Sequence, residues 1–233
     1  MKTALSSEEI IFFLNNECYH KSRHFVKKLS YNAMRKEGIH LKLVFFVGTA
    51  GTGKSYLSQR LSESFSWAYL DMDTIGSPFI IKMLEMNGQD PDDRDSAFYK
   101  QHLRNLPYQA LMNVAMDNLK AHQNVALIGP FTRELATPTW IEDVLKTNGF
   151  TLAEVDVKVI IVEVQNAKVE RDRIHNRGYD RDQWKLNHWD TYKSEKKKYN
   201  VTWTIPNASV LRFDNSDELT DGKLQQLIDF INQ

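Results

Sequence analysis

Seven residues, Leu41-Lys42-Leu43-Val44-Phe45-Phe46-Val47, form the longest near-continuous apolar run in the chain. A run this short, rich in large and β-branched side chains, predicts a strand buried on both faces. Four shorter runs have the same character: Trp67-Ala68-Tyr69-Leu70, Val125-Ala126-Leu127-Ile128, Val157 to Val162, and Ser209-Val210-Leu211-Arg212-Phe213. Between them the pattern predicts helices, the longest over about 94–122, 166–178 and 182–198, with a last one over about 218–231. Strands that alternate with helices predict an α/β fold, a parallel sheet covered by helices on both faces.

Residues 7–36 read as one or two helices. Ser6 or Ser7 with Glu8 and Glu9 makes the start, and Gly38 the stop. They precede the first strand, so residues 1–38 are expected to form an appendage to a core domain over 39–233. His20 and His24 are spaced i, i+4, which suits a metal, but no third ligand is near and a solvated helix face accounts for the pair.

Composition acts here mainly by exclusion. The 30 Lys and Arg balance 30 Asp and Glu, so no global basic field argues for nucleic acid. The single Cys18 excludes an intramolecular disulfide and fits a reducing compartment. The first residues lack the apolar core of a signal peptide, and no run is long enough to span a bilayer. A cytoplasmic protein without a membrane partner is expected.

The chemistry starts at the end of the first strand, where Gly48-Thr49-Ala50-Gly51-Thr52-Gly53-Lys54-Ser55 reads G-x-x-x-x-G-K-S. Strand before and helix after are the context in which this pattern cradles phosphate. The glycines let backbone N–H groups face phosphate oxygens, and Lys54 reaches the β- and γ-phosphates. Ser55 offers a hydroxyl to Mg²⁺, and the helix N-terminus adds attraction for the anion. Tyr56, next in the chain, is counted with the nucleotide-contacting residues. ATP and Mg²⁺ are the expected cofactors.

Ligands on parallel sheets bind beyond the carboxyl ends of the strands. The second strand is followed by Asp71-Met72-Asp73, two carboxylates at the phosphate-loop edge. A phosphotransferase needs one carboxylate to orient or deprotonate the acceptor hydroxyl and one to serve Mg²⁺. Asp73 is assigned to the acceptor and Asp71 to the metal, an assignment that residue order alone leaves open. Asp73-Thr74 is also a good helix-cap pair.

The third strand is followed by Gly129-Pro130-Phe131-Thr132-Arg133-Glu134. No acid lies between Val125 and Pro130, unlike the pattern usual in switch and motor NTPases. Arg133 is expected to reach the transferred phosphate or an anionic substrate. The fourth strand leads to Arg171, Arg173, Arg177 and Arg181, four arginines in eleven residues. Such a cluster can close over a triphosphate and stabilise its charge. Asp214 to Asp217, after the fifth strand, either lines the base pocket or caps the last helix.

Residues 74–123 exceed what one crossover helix requires and are expected to carry the acceptor pocket, with Arg94, Tyr99, Arg104 and Tyr108 as its polar groups. Trp184, Trp189, Tyr192, Tyr199 and Trp203 alternate with Lys185, Lys193 and Lys196-Lys197-Lys198. Single-stranded nucleic acid binders use such stretches. A buried helix face with lysines on its wet side accounts for it more simply.

The order of these motifs resembles the small P-loop kinases, the superfamily of shikimate, gluconate and nucleoside-monophosphate kinases and antibiotic phosphotransferases. It resembles more closely bacterial P-loop proteins labelled AAA-family ATPases or predicted kinases. The shared segments read here Asp71-Met72-Asp73-Thr74, Asp93-Arg94-Asp95-Ser96-Ala97-Phe98-Tyr99, Pro130-Phe131-Thr132-Arg133-Glu134 and Arg177-Gly178-Tyr179-Asp180-Arg181-Asp182-Gln183-Trp184-Lys185-Leu186. The second departs from the pattern, with Tyr99 three rather than four residues after Ser96. The Gly-Gly-Gly segment of shikimate kinase is absent after the third strand. The resemblance implies a three-layer P-loop NTPase fold with sheet order 2-3-1-4-5, a lid over 171–198, Arg173 stacked on adenine, and Arg177 and Arg181 acting from the lid. It names no acceptor. The expected activity is phosphoryl transfer from ATP to a small molecule or a nucleotide. The alternatives are a nucleotide switch working through a protein partner and a kinase acting on a nucleic-acid end.

Overall fold

The structure, a computed structural model, describes residues 40–94, 96–196, 198–206 and 209–233, with only the backbone at Arg181. These lie almost wholly in the second of two compact units, Leu41–Gln233. The expected appendage over 1–38, with Cys18, His20 and His24, falls outside the described residues, as do Asp95 and Lys197.

In chain order the elements are β1 (Leu41–Val47), α1 (Lys54–Phe65), β2 (Ala68–Asp71), α2 (Met72–Met86), a π-helical turn (Tyr99–Leu103), α3 (Leu106–Lys120) and β3 (Val125–Ile128). Then come α4 (Thr132–Leu135), α5 (Trp140–Thr147), β4 (Val155–Glu163), α6 (Ala167–Arg177), a 3-10 turn (Asp180–Asp182), α7 (Gln183–Asn187), α8 (Trp189–Glu195), β5 (Val210–Asp214) and α9 (Asp221–Asn232). The five strands form one parallel sheet in the order β2-β3-β1-β4-β5, as expected.

β1 is the central strand, with Phe45 opposite Leu127 of β3 and Val159 of β4. That position explains its unbroken apolar run. Leu43, Phe45 and Val47 face one core, filled from α3 and α5 by Leu111, Leu119, Ile141 and Leu145. Val44 and Phe46 face the other, filled from α1 and α9 by Leu57, Leu61, Leu227 and Ile231. Trp203 meets Phe45 edge-on at 5.1 Å and stacks on Trp140 at 5.6 Å. Its indole N–H donates to the Glu134 carbonyl at 2.7 Å, which satisfies the polar atom that so buried a ring must carry.

The aromatic and basic stretch therefore divides. Tyr199 and Trp203 belong to the core, while Trp184 is exposed and stacks on His188. The single helix expected over 182–198 breaks at His188 into α7 and α8, so Trp184 does not share a buried face with Trp189 and Tyr192.

The helix expected over 94–122 is also interrupted. Pro107 has no N–H to donate and sits in the first turn of α3, where none is needed. The preceding residues wind as a π turn instead. α2 and α3 pack so closely that a Cβ on Gly76 would lie 2.5 Å from the Pro107 ring.

Candidate active site

β2 runs into α2 without a loop. Asp71 is both the last residue of the strand and the N-cap of the helix, its Oδ1 accepting from the Asp73 N–H at 2.8 Å. The cap is therefore Asp71 rather than the Asp73-Thr74 pair. Its other oxygen, Oδ2, accepts from Ser55 Oγ at 2.9 Å and from the Tyr69 hydroxyl at 3.4 Å. Tyr69 was missed in the sequence because it lies within a strand.

The phosphate loop joins β1 to α1. Gly53 has φ of 89°, in the left-handed region, and is the N-cap of α1. A side chain there would be strained, and its Cβ would collide with Asn215 Nδ2. Thr52 Oγ1 donates back to the Thr49 carbonyl at 3.0 Å, bracing the turn. Lys54 Nζ donates to the same carbonyl at 2.7 Å. Burial brings the Lys54 ammonium down from 10.5 to about 8. Arg177 pushes the same way, while Asp73 and Asp71 oppose it.

A cleft of about 1070 Å³ gathers most of the expected residues. Gly51, Gly53, Lys54, Ser55 and Tyr56 line its phosphate-loop side. Asp71 and Asp73 lie at the mouth of α2. Ser77 and Ile81 follow Asp73 at i+4 and i+8, one helix face turned to the cleft. Asp92 and Arg94 come from the turn after α2, and Arg94 donates to the Pro91 and Asp93 carbonyls at 2.9 and 2.8 Å.

From the lid side come Arg173 and Arg177. Arg173 donates to the Asn215 carbonyl at 2.8 Å. Asn215, almost fully buried, donates from Nδ2 to the Thr52 carbonyl at 2.9 Å. The loop after β5 thus clamps the phosphate loop with a side chain. α9 starts at Asp221 under a Thr220 cap, later than expected, which leaves Asp217 to Leu219 on the cleft wall. Arg177 pairs with the fully enclosed Asp182 at 2.5 Å, which also takes Lys185 at 2.5 Å. Arg181 lies in the 3-10 turn after this helix, and only its backbone is described.

Arg133 is not brought to this cleft. α4 buries Glu134 and Leu135, and Glu134 forms an ion pair at 3.0 Å with Arg104. That packing turns Arg133 outward, where it lines a second cavity of about 540 Å³. Arg104 and Tyr108 line the same second cavity, with the Arg104 guanidinium 4.9 Å from the Tyr108 ring centre. Of the four polar groups expected from the insertion, Arg94 alone lines the main cleft. Glu170, one of several acids in the arginine-rich segment, carries no signal in the sequence that sets it apart. It is buried, and accepts from Thr49 Oγ1 at 3.1 Å.

The sequence pattern of a family described as AAA domain matches residues 43–198. No curated protein matches the chain. Among solved structures, a "putative kinase" from Chloroflexus aurantiacus is 16% identical, with a TM-score of 0.52 over 83% of this chain and 96% of that one. A sugar kinase from Janibacter is 14% identical, with a TM-score of 0.49 over 83% and 95%. A shikimate kinase from Bacteroides thetaiotaomicron is 11% identical, with a TM-score of 0.43 over 83% and 99%. At its level of identity the first of these shares the fold alone, which says nothing about substrate.

Proposed function

The chain belongs to the AAA-domain family, and from that premise we propose that it is an ATP- and Mg²⁺-dependent phosphotransferase acting on a hydroxyl of a small molecule or a nucleotide. One observation carries the reading. The phosphate loop, the Ser55–Asp71 hydrogen bond, Asp73 and the arginine-bearing end of α6 all open on one cleft.

Ser55 Oγ and Asp71 Oδ2 fit a hard cation. Mg²⁺ takes oxygen ligands, few of them from protein, and fills its shell with phosphate oxygens and water. Among the described residues no cluster of three or more His, Cys, Asp or Glu forms an all-protein cage. Ser55 and Asp71 would hold the ion, which would supply positive charge against the transferring phosphate.

The chain's own groups divide the remaining work. Backbone N–H groups of 48–55 hold the phosphates, and Lys54 sets its charge against the β- and γ-oxygens. Asp73 orients the acceptor hydroxyl and accepts its proton as the oxygen bonds to the γ-phosphorus and the bond from that phosphorus to the bridging oxygen breaks, with ADP leaving. Arg177 and Arg181 offset the charge on the transferring group, and Arg173, tied to Asn215, holds the base end. Arg133 opens on the other cavity and has no part in this reading.

The test is a screen of metabolite pools for ATP-dependent phosphorylation, with Lys54→Ala as control. A phosphorylated product from wild type alone supports the reading. Free ATP hydrolysis with no product from any pool would sink it and favour a protein-directed switch. Oligonucleotide binding with steep salt dependence would favour the nucleic-acid alternative.

A further inference from the structure

We propose that Glu170 is a positioning residue for nucleotide binding, setting the start of the phosphate loop through Thr49 and tying it to the end of the lid through Lys196. The proposal rests on the reading of 48–55 as a nucleotide site. Glu170 lies in the first turn of α6 with 2% of its surface exposed. A carboxylate so enclosed persists only with partners. Its Oε1 accepts from Thr49 Oγ1 at 3.1 Å, and its two oxygens accept from Lys196 Nζ at 2.9 and 3.0 Å.

The main chain reinforces the side-chain contact. A Cβ on Gly51 would lie 2.9 Å from the Glu170 carbonyl and 2.7 Å from Ile174, so the loop rests directly on this turn of α6. Thr49 carries two roles at one residue. Its hydroxyl is held by Glu170, and its carbonyl accepts from Lys54 Nζ. The Glu170 carboxylate therefore fixes the peptide against which the phosphate-binding lysine is set.

The other arm reaches the lid. Lys196 is the C-cap of α8, which carries Trp189 and Tyr192. Arg171, one residue after Glu170, lies 5.7 Å from the centre of the Trp189 ring. The Tyr192 hydroxyl is pushed up to about 12 by burial first and by the Glu170 charge second, so it shares the same enclosure. One carboxylate joins the loop, α6 and the last part of the lid.

Binding of a fluorescent ATP analogue and trypsin cleavage of the lid measure the two arms. Three variants are compared with wild type: Thr49→Val removes the loop arm, Lys196→Met the lid arm, and Glu170→Gln the charge between them. Each is expected to weaken analogue binding about tenfold, the scale of one coupled contact. The Thr49→Val/Lys196→Met double variant should be no worse than either single, because both act through one group. Saturating analogue should protect the lid from trypsin in wild type and in Lys196→Arg, and protect it less in Lys196→Met. Wild-type affinity and protection in Thr49→Val and Lys196→Met, with only a lowered Tm, would make Glu170 a plain structural acid and overturn the proposal. Additive losses in the double variant would overturn the relay. Absence of analogue binding by wild type removes both this proposal and the nucleotide reading beneath it.

Discussion

Ser55 Oγ donates to Asp71 Oδ2 at 2.9 Å, joining the phosphate loop to the N-cap of the next helix. One carboxylate therefore caps a helix and, in the proposed reading, would also serve Mg²⁺, and a substitution can separate the duties. Asn caps a helix about as well as Asp. Asp71→Asn should keep Tm within a few degrees of wild type while raising the Mg²⁺ concentration needed for half-maximal turnover about tenfold or more. Mg²⁺ titrations of turnover, beside thermal melts, check this. An unchanged Mg²⁺ requirement removes Asp71 from the metal site.

Lys54 couples function to stability with opposite signs. The unfolded chain holds this proton up to 10.5 and the folded one only to about 8, through burial first and Arg177 second. Between those values the unfolded state binds more protons, so stability contributed by this residue rises with pH and its cost is full below about 8. Because part of the residue stays accessible, that cost is about 1–2 kcal/mol. Lys54→Met should melt above wild type at pH 7, lose this advantage near pH 10, and bind no triphosphate. Melting below wild type at pH 7 contradicts it.

The same residue predicts a pH limit on binding. Triphosphate affinity should fall as pH rises through about 8, where the ammonium loses its proton. Arg177→Gln removes the second cause of the lowered value, so the break should move to higher pH. Affinity measured from pH 6 to 10 in both proteins reads the shift directly, and an unmoved break refutes the coupling.

Asp182 is wholly enclosed and takes both Arg177 and Lys185. Removing its charge leaves two cations around a neutral amide. Since both remain partly accessible, Asp182→Asn should cost about 2–3 kcal/mol, less than a fully buried pair. Urea unfolding measures it. A loss below about 0.5 kcal/mol would mark the cluster as ordinary surface charge.

The central strand could be read residue for residue, because a strand buried on both faces leaves an unbroken apolar run. The phosphate loop was equally plain, since its glycines are demanded by backbone geometry. Sheet order came from the resemblance rather than from the runs themselves. Asp71 and Asp73 were found by their place after a strand, but that Asp71 caps the helix needed the strand to run straight into it. Arg133 was misplaced because a charge after a strand does not disclose which way burial of Glu134 turns it. Glu170 was invisible for another reason: Thr49 lies 121 residues away, and an acid among arginines looks like surface lacing. The late start of α3 at Leu106, with Pro107 in its first turn, shows a proline overriding helical periodicity.

Gly76, pressed beneath the Pro107 ring, sets how firmly one wall of the main cleft is held. The helix that presents Asp73, Ser77 and Ile81 is locked to its neighbour by contact of backbone with ring, without a flexible side chain to cushion it. Anything larger than glycine at 76 would tilt α2 and carry Asp73 with it. If that face meets the acceptor, as proposed, selection for a new one is steered toward exchanging groups on the face rather than moving it. In that reading, choice of substrate and soundness of fold meet at one crossing of two helices.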